Sequence, residues 1–403
     1  MDYRKHLKST INDYLNIKDN IKTGIERKEE IEKNKKVILE KLNGREEDWK
    51  DYKWQLKNRI DNAEKLKKIF PLTDEEIKEV DKVASVYRFA ISPYYLSLID
   101  TKDFKDPIKL QAIPSGKELI GHGDLDPMDE KGTTPVEGIT RRYPDRLIVK
   151  VTNQCGMYCR FCQRRRLIGE TDHHIDRNTL EKDIEYIRNN EEIRDILLTG
   201  GDAFMLSDST IEWLLQELRS IPHVEIIRFG TRTPVTLPQR VTDNLVNILK
   251  KYHPIYVNTH FNSPAEITEE SKEACEKLAN AGIPLGNQMV LLNDVNNDPM
   301  VVRKLNQALL TIRVKPYYIF HTKPVKGTEH FWCKVEEGLD IMESLRGRTS
   351  GMAIPTYIVN GPGGLGKTPV LPNYLQYIGR DKAYFRNWNG VPFEIENKFD
   401  DIE

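Results

Sequence analysis

Three thiols fall within eight residues, Cys155-Gly156-Met157-Tyr158-Cys159-Arg160-Phe161-Cys162. Thiolates favour zinc or iron–sulfur clusters over hard cations. A structural zinc site wants four closed ligands. No fourth cysteine is near: Cys275 and Cys333 stand singly and far off, in patterns that read as helical. A 4Fe-4S cubane usually takes four cysteines, so three leave one iron open to bind something else. Ordinary buried thiols, or a zinc knuckle with a distant fourth ligand, are the plainer alternatives. A second candidate is Gly361-Pro362-Gly363-Gly364-Leu365-Gly366-Lys367-Thr368, which fits the nucleotide-binding P-loop pattern. A P-loop must run straight into a helix whose N-terminus holds the phosphates. Here Pro369 and Pro372 follow, which a helix tolerates poorly. The P-loop NTPase reading is therefore rejected. What remains is a lysine among glycines, and lysine amines form Schiff bases with the aldehyde of pyridoxal 5'-phosphate (PLP). Its phosphate needs donors, which the guanidinium forks of Arg142 and Arg146 would supply; on composition alone such a pair is as well read as surface charge.

The thiols follow Leu147–Thr152, an apolar run that reads as a buried strand. Strand-like runs recur at Asp195–Thr199, Val224–Phe229, Ile255–Thr259, Leu285–Leu292, Tyr317–His321 and Ala353–Val359, with helical patterns between them. Alternation of this kind implies parallel strands with right-handed crossovers. Six or seven units fall short of a full TIM barrel, so the expected fold is α/β, a partial (β/α)6-type TIM barrel over residues 141–370. Before it come a helical arm (1–60), read as one or two long exposed helices and an oligomerisation element, and a helical or loop-rich connector (61–140). Thr73-Asp74-Glu75-Glu76 is a capping box opening a helix through Phe89, and Ser209-Thr210-Ile211-Glu212 reads as another. Residues 371–403 form a tail in which Asn389-Gly390 marks a hairpin.

The chain has 403 residues, with Lys+Arg 61 against Asp+Glu 62, so no polyanionic partner is implied. No apolar run is long enough to span a membrane, and Met1–His6 lacks the apolar core of a signal peptide. An odd number of cysteines, three of them clustered, argues for a reducing compartment and a metal rather than disulfides. A cytoplasmic protein is expected.

The spacing Cys-x3-Cys-x2-Cys resembles the signature of the radical S-adenosylmethionine (radical SAM) enzymes, whose cores are partial barrels. More of the sequence is similar to one branch. Arg142-Tyr143-Pro144-Asp145-Arg146, Gln163-Arg164-Arg165-Arg166, Gly200-Gly201-Asp202, Thr259-His260-Phe261-Asn262, Pro284-Leu285-Gly286-Asn287-Gln288 and the Lys367 segment resemble the lysine 2,3-aminomutase family. The resemblance implies a PLP-dependent isomerase that moves an amino group from C2 to C3 of an amino acid, using a radical made from S-adenosyl-L-methionine (SAM). It assigns the cluster to Cys155, Cys159 and Cys162, and the PLP-bearing amine to Lys367. Arg142 and Arg146 would take the PLP phosphate and Arg164 the substrate α-carboxylate. Gly200, Gly201, Asp202, His260 and Gln288 would contact SAM, with Asp202 accepting from its ammonium. It further implies an electron donor such as flavodoxin or ferredoxin and a homo-oligomer. The run Arg164-Arg165-Arg166 would otherwise suggest RNA, but no basic stripe or aromatic platform flanks it, so no nucleic acid is expected.

The departures concern the substrate. Lysine-specific members hold the distal ammonium with two aspartates; the matching positions here are Lys323 and Asn360. A lysine ammonium ~4 Å from a charged Lys323 would be repelled by roughly 4 kcal/mol at an effective dielectric near 20. A distal carboxylate reverses the sign, and the pair resembles that of the glutamate-specific members. L-α-glutamate to β-glutamate is thus the expected conversion, with lysine or another amino acid as the alternative. Phe161 replaces a histidine, with no effect assignable from sequence. No structural zinc is expected, because the Cys-rich C-terminus of some relatives is lacking and Asp298 replaces their internal cysteine.

Overall fold

The structure, a computed structural model, describes residues 3–397. Nine strands form one curled sheet in sequential order. They are β1 (Ile139–Thr140), β2 (Arg146–Thr152), β3 (Asp195–Gly200), β4 (Ile226–Gly230), β5 (Ile255–Thr259), β6 (Leu285–Val290), β7 (Lys315–Phe320), β8 (Thr356–Gly361) and β9 (Gly366–Pro369). β2 to β8 pair parallel, each with its sequence neighbour. The short β1 and β9 flank them antiparallel. Six crossovers carry the helices Arg177–Arg188, Asp208–Arg219, Asp243–Lys250, Glu269–Asn280, Pro299–Thr311 and Val335–Leu345. This is the expected partial barrel.

Strand alternation explains why the barrel holds a site. In β2, Leu147, Val149 and Val151 are buried, while Arg146, Ile148 and Lys150 face a central cavity. In β3, Ile196 and Leu198 are buried while Leu197 and Thr199 face the cavity. Filled TIM barrels put bulky aliphatic side chains on that inner row. Here Arg146, Lys150 and Thr199 interrupt that row between Ile148 and Leu197, and the cavity remains open. The outer row joins the helices in one continuous apolar core.

Each crossover helix is started by a short polar side chain where the sequence offers one. Asp176, Ser207, Thr242, Thr268 and Asp298 accept from backbone N–H groups of their first turns, a device worth ~1 kcal/mol each. Asp298 thus serves as a helix cap. The box expected at Ser209 does not form, because Ser207 two residues earlier takes the Thr210 N–H. The Thr73 capping box is present, but its helix ends at Ala84. Residues 87–90 are drawn off instead: the Arg160 guanidinium donates to the carbonyls of Tyr87 and Arg88, and Tyr158 N–H to that of Ala90.

The arm differs from its expectation. It comprises five short helices, the longest Lys28–Lys41. Ile31, Ile38, Leu39 and Trp49 are buried in the same core as the barrel. The helical run is interrupted because Gly24 and Ile25 donate their N–H groups to the carbonyls of Pro264 and Ile267. A Cβ at Gly24 would lie 2.7 Å from the Ala265 carbonyl oxygen, so only glycine lets the arm lie this flat on the barrel.

The tail forms a small antiparallel sheet, β10 (Leu375–Ile378), β11 (Lys382–Arg386) and β12 (Pro392–Glu396). Asn389-Gly390 lies in the β11–β12 turn, with Gly390 at φ +78°. Arg386 anchors this sheet through a two-pronged contact with Glu343, at 2.6 and 2.9 Å. Among the described residues no helix is long and apolar enough to cross a membrane.

Candidate active site

One cavity of about 500 Å³ opens among the C-terminal ends of the parallel strands, and all fourteen candidate residues line it. That volume suits a cofactor with a small substrate.

The cysteine loop begins where β2 ends and is fastened from several sides. Gly201 N–H donates to the Thr152 carbonyl and Asp202 N–H to that of Gln154. Cβ atoms at Gly200 and Gly201 would sit 2.7 and 2.5 Å from the carbonyl oxygens of Thr152 and Gln154. The two glycines are therefore required for backbone packing under the thiols, and Gly200 also needs φ +122°. Arg160 N–H reaches the carbonyl of Gln111 in the connector at 3.0 Å, and Arg59, at the end of the arm, donates to the Cys155 carbonyl at 2.7 Å. Burial raises the pKa of the Cys155 and Cys162 thiols, and the neighbouring cysteines add to it. Among the described residues no group of three His, Cys, Asp or Glu side chains is set to hold a single metal ion.

The arginine run after the thiols is consumed internally. Arg160 meets both oxygens of Glu118, at 2.9 and 2.7 Å, and Arg165 shares the same carboxylate. Arg164 pairs with Glu130 at 2.8 Å, and Arg166 with Glu130 and Asp126. Burial would raise the Glu130 pKa, but Arg164 and then Arg166 outweigh it and hold it at about 2. Arg164 binds Glu130 through its Nε and Nη2 edge, leaving Nη1 without a partner among the described residues.

The glycine-rich segment is a hairpin between β8 and β9, with Gly363, Gly364 and Gly366 all at positive φ. It enters no helix, in keeping with rejection of the P-loop. Its register sets Lys367 directly opposite Asn360, so both side chains share a face. Lys367 N–H donates to Tyr143 Oη at 2.8 Å. Its Nζ lies 5.5 to 5.9 Å from the rings of Tyr143, Tyr318 and Phe320. Burial of the amine, then Arg228, Arg146 and Arg142, lower its pKa to about 8. Lys367 is exposed as a residue only because it walls an open cavity. Arg146 stacks on Tyr143 at 4.0 Å, and Arg142 Nη2 is buried without a hydrogen-bond partner.

Lys323 follows β7, and its ammonium donates to Gln163 Oε1. Burial, then Arg164, lower its pKa to about 7. Asn360 Nδ2 is likewise buried without a partner. Among its Lys, Arg, Asp and Glu residues, the cavity lining has eight cations against three carboxylates.

Two further lining residues are held by partners within the chain. Asp202 lines the cavity but spends its carboxylate inside the chain: Oδ1 accepts from Thr231 Oγ1 and Phe204 N–H, Oδ2 from Arg232 N–H. Phe161 gains a place: its ring packs 5.4 Å from His260 and edge-on to Phe331 at 6.2 Å. Burial lowers the His260 pKa well below its ordinary value, so the ring is neutral, with Nε2 3.1 Å from Asn262 Oδ1.

A family model described as Radical SAM superfamily matches residues 149–303, and one described as Lysine-2,3-aminomutase matches residues 342–397. The glutamate 2,3-aminomutase of Clostridioides difficile (strain 630) is 60% identical over 393 residues, 97% of this chain and 93% of that protein. The L-lysine 2,3-aminomutase of Clostridium subterminale is 53% identical over 346 residues, 85% of this chain and 83% of that protein. The chain belongs to the lysine 2,3-aminomutase family of radical SAM enzymes. A solved radical SAM methyltransferase from Sphaerobacter thermophilus aligns at TM-score 0.42 and 15% identity, over 56% of this chain and 72% of that one.

As a member of this family the chain is an aminomutase, an isomerase, and the family's reagents are SAM and a 4Fe-4S cluster. The residues present fit such ligands. Three soft donors share one cavity with unsatisfied donors on Arg142 and Asn360 and with a lysine of lowered pKa. Sequence reasoning missed Glu118, Glu130, Tyr143, Gln163, Arg228 and Arg232. Gln163 and Tyr143 stood inside quoted motifs, but the others are single residues meeting partners far along the chain.

Glu118 bears the largest structural demand. Its side chain is fully buried between Arg160 and Arg165, which are themselves 2% and 4% exposed. Removing one partner of a buried ion pair costs about 3–5 kcal/mol. Glu118→Ala is therefore expected to lose that much stability in urea unfolding of the cluster-free chain. A loss under about 1 kcal/mol would mean the arginines find water instead.

Proposed function

We propose that the chain is a glutamate 2,3-aminomutase, converting L-α-glutamate to β-glutamate. The observation that carries this reading is the placement of Lys323 and Asn360 in one cavity with the cysteine triplet and Lys367. The two buried acids there are not free for a distal ammonium: Glu130 and Asp202 are committed within the chain, and the third lining acid, Glu137, is exposed to solvent.

In this reading Cys155, Cys159 and Cys162 hold the cluster, Lys367 carries PLP, and Arg142 and Arg146, joined by Arg228, bind its phosphate. His260 and Gln288 face SAM, while Gly200 and Gly201 shape its floor. When bound, the cluster with SAM would supply a carbon-centred radical, and PLP would supply an aldehyde for the substrate amine. Lys367, with its pKa lowered to about 8, yields a neutral amine at modest cost near neutral pH. Arg164 offers Nη1 to the α-carboxylate while Glu130 fixes its other edge. Lys323 and the Asn360 amide hold the γ-carboxylate, and Gln163 orients the Lys323 ammonium. Hydrogen bonds to charged groups are worth about 1.5–3 kcal/mol each. The reaction also calls for a one-electron donor such as flavodoxin or ferredoxin. We place the enzyme in the cytoplasm, as a homo-oligomer without structural zinc.

The lowered pKa of Lys323 revises the charge argument. At pH 7 Lys323, its pKa lowered to about 7, can shed its proton at little cost, so full-charge repulsion of ~4 kcal/mol is an upper bound. Lysine is disfavoured mainly because its buried ammonium would find no counter-charge, a penalty of several kcal/mol.

Two experiments test the reading. Anaerobic incubation with SAM, a reductant and either amino acid is expected to yield β-glutamate from glutamate and little β-lysine from lysine. Lys323→Asp with Asn360→Asp is expected to lower kcat/KM for glutamate ~100-fold, the scale of a broken buried charge contact. Rapid lysine turnover by the unaltered enzyme would overturn the assignment. The second uses pH. Arg164, Arg142 and Lys367 press the Lys323 pKa down and Glu130 presses it up; a bound carboxylate raises it. The protonated form binds glutamate better, so Kd should be flat below pH 7. It should then rise by up to ~tenfold per pH unit toward pH 8.5, a rise absent in Lys323→Met. A flat profile in the unaltered enzyme would contradict this role.

A further inference from the structure

We propose that Arg232 is a positioning residue that sets the reduction potential of the cluster through Cys159, a role that rests on the assignment of Cys155, Cys159 and Cys162 as its ligands. Arg232 stands just past the end of β4 and is 8% exposed. Its Nη1 donates to Cys159 Sγ at 2.7 Å. The rest of the side chain has no freedom. Nη2 donates to Gln111 Oε1 at 2.6 Å and Glu266 Oε1 at 2.7 Å, and Nε to the His260 carbonyl at 3.1 Å. Its backbone N–H is fixed by Asp202 Oδ2 at 2.8 Å, which gives that buried carboxylate a purpose.

Glu266 is as firmly held. Its side chain is fully buried, and its oxygens also accept from Tyr95 Oη and from the N–H groups of Asn262 and Ser263. The ion pair is thus an oriented dipole with its positive end on one cysteine sulfur. Phe161 covers the guanidinium at 5.1 Å, which excludes water from one side.

Reduction adds one electron to the cluster. With three thiolates, the oxidised 2+ core carries a net charge of −1 and the reduced 1+ core −2. A fixed cation at sulfur stabilises the more negative state more strongly, so it raises the potential; hydrogen bonds and net charge at the sulfurs are known levers on such clusters. Glu266, behind the guanidinium, opposes it from farther away. The arrangement therefore makes a one-electron donor of given potential more effective.

The test is a redox titration of the reconstituted holoprotein without SAM, followed by electron paramagnetic resonance of the reduced cluster. Arg232→Gln is expected to lower the reduced-to-oxidised ratio at a fixed potential ~tenfold, which is ~59 mV for one electron. Arg232→Lys, which keeps the charge, should recover most of that shift. Glu266→Gln removes the opposing charge and should move the ratio the other way. A purely structural role for the pair would not give opposite signs. If Arg232→Gln fails to take up iron, Glu266→Gln decides alone. Variants with full iron content and ratios within about twofold of the unaltered protein, or shifted in one common direction, overturn the proposal. An unaltered chain that binds no iron overturns the ligand assignment beneath it.

Discussion

Keeping several cations out of water around one cavity is the constraint from which the rest of this structure follows. Lys323, Arg164, Arg142, Arg146 and Lys367 all face the same space. Burial and mutual repulsion push down the pKa values of Lys323, Lys367 and Arg142. Such a field is costly when the site is empty and favourable once anions enter it. The proposed phosphate and two carboxylates are ligands that would offset it. The orphaned donors on Arg142 and Asn360 point to the same class.

The scaffold tolerates this field because a few buried carboxylates divide it. Glu118 takes Arg160 and Arg165, Glu130 takes Arg164 and Arg166, and Glu266 takes Arg232. Each is held by elements outside the cysteine loop, so the connector and the barrel together set that loop. The curled sheet adds the remaining condition. Alternate positions on β2 and β3 turn Arg146, Lys150 and Thr199 inward, and the β8–β9 register brings Asn360 and Lys367 face to face.

What was legible in the sequence was whatever repeats or clusters locally. The three thiols, the glycine-flanked Lys367 and the apolar runs of seven parallel strands depend on neighbours within a few residues, and they are found where expected. Arg232 and Cys159 lie 73 residues apart, and Glu266 reaches Gln111 across 155 residues. No local pattern marks such pairs. The N-terminal arm misled for a related reason. Its lysines and glutamates favour a long helix, but Gly24 and Ile25 trade helical hydrogen bonds for bonds to the barrel. The Ser209 box failed because Ser207 caps the helix two residues earlier, accepting the Thr210 N–H and leaving Ser209 inside the first turn. Asp202 was placed correctly at the cavity, but which partner its carboxylate chooses is a tertiary fact.

The account stands or falls on what meets the far end of the substrate. A crystal structure of the PLP-loaded enzyme with glutamate bound tests this most directly. The γ-carboxylate is expected within hydrogen-bonding distance, about 3 Å, of both Lys323 Nζ and Asn360 Nδ2, with the α-carboxylate at Arg164. A γ-carboxylate turned to solvent, with Lys323 still bound to Gln163, would contradict it.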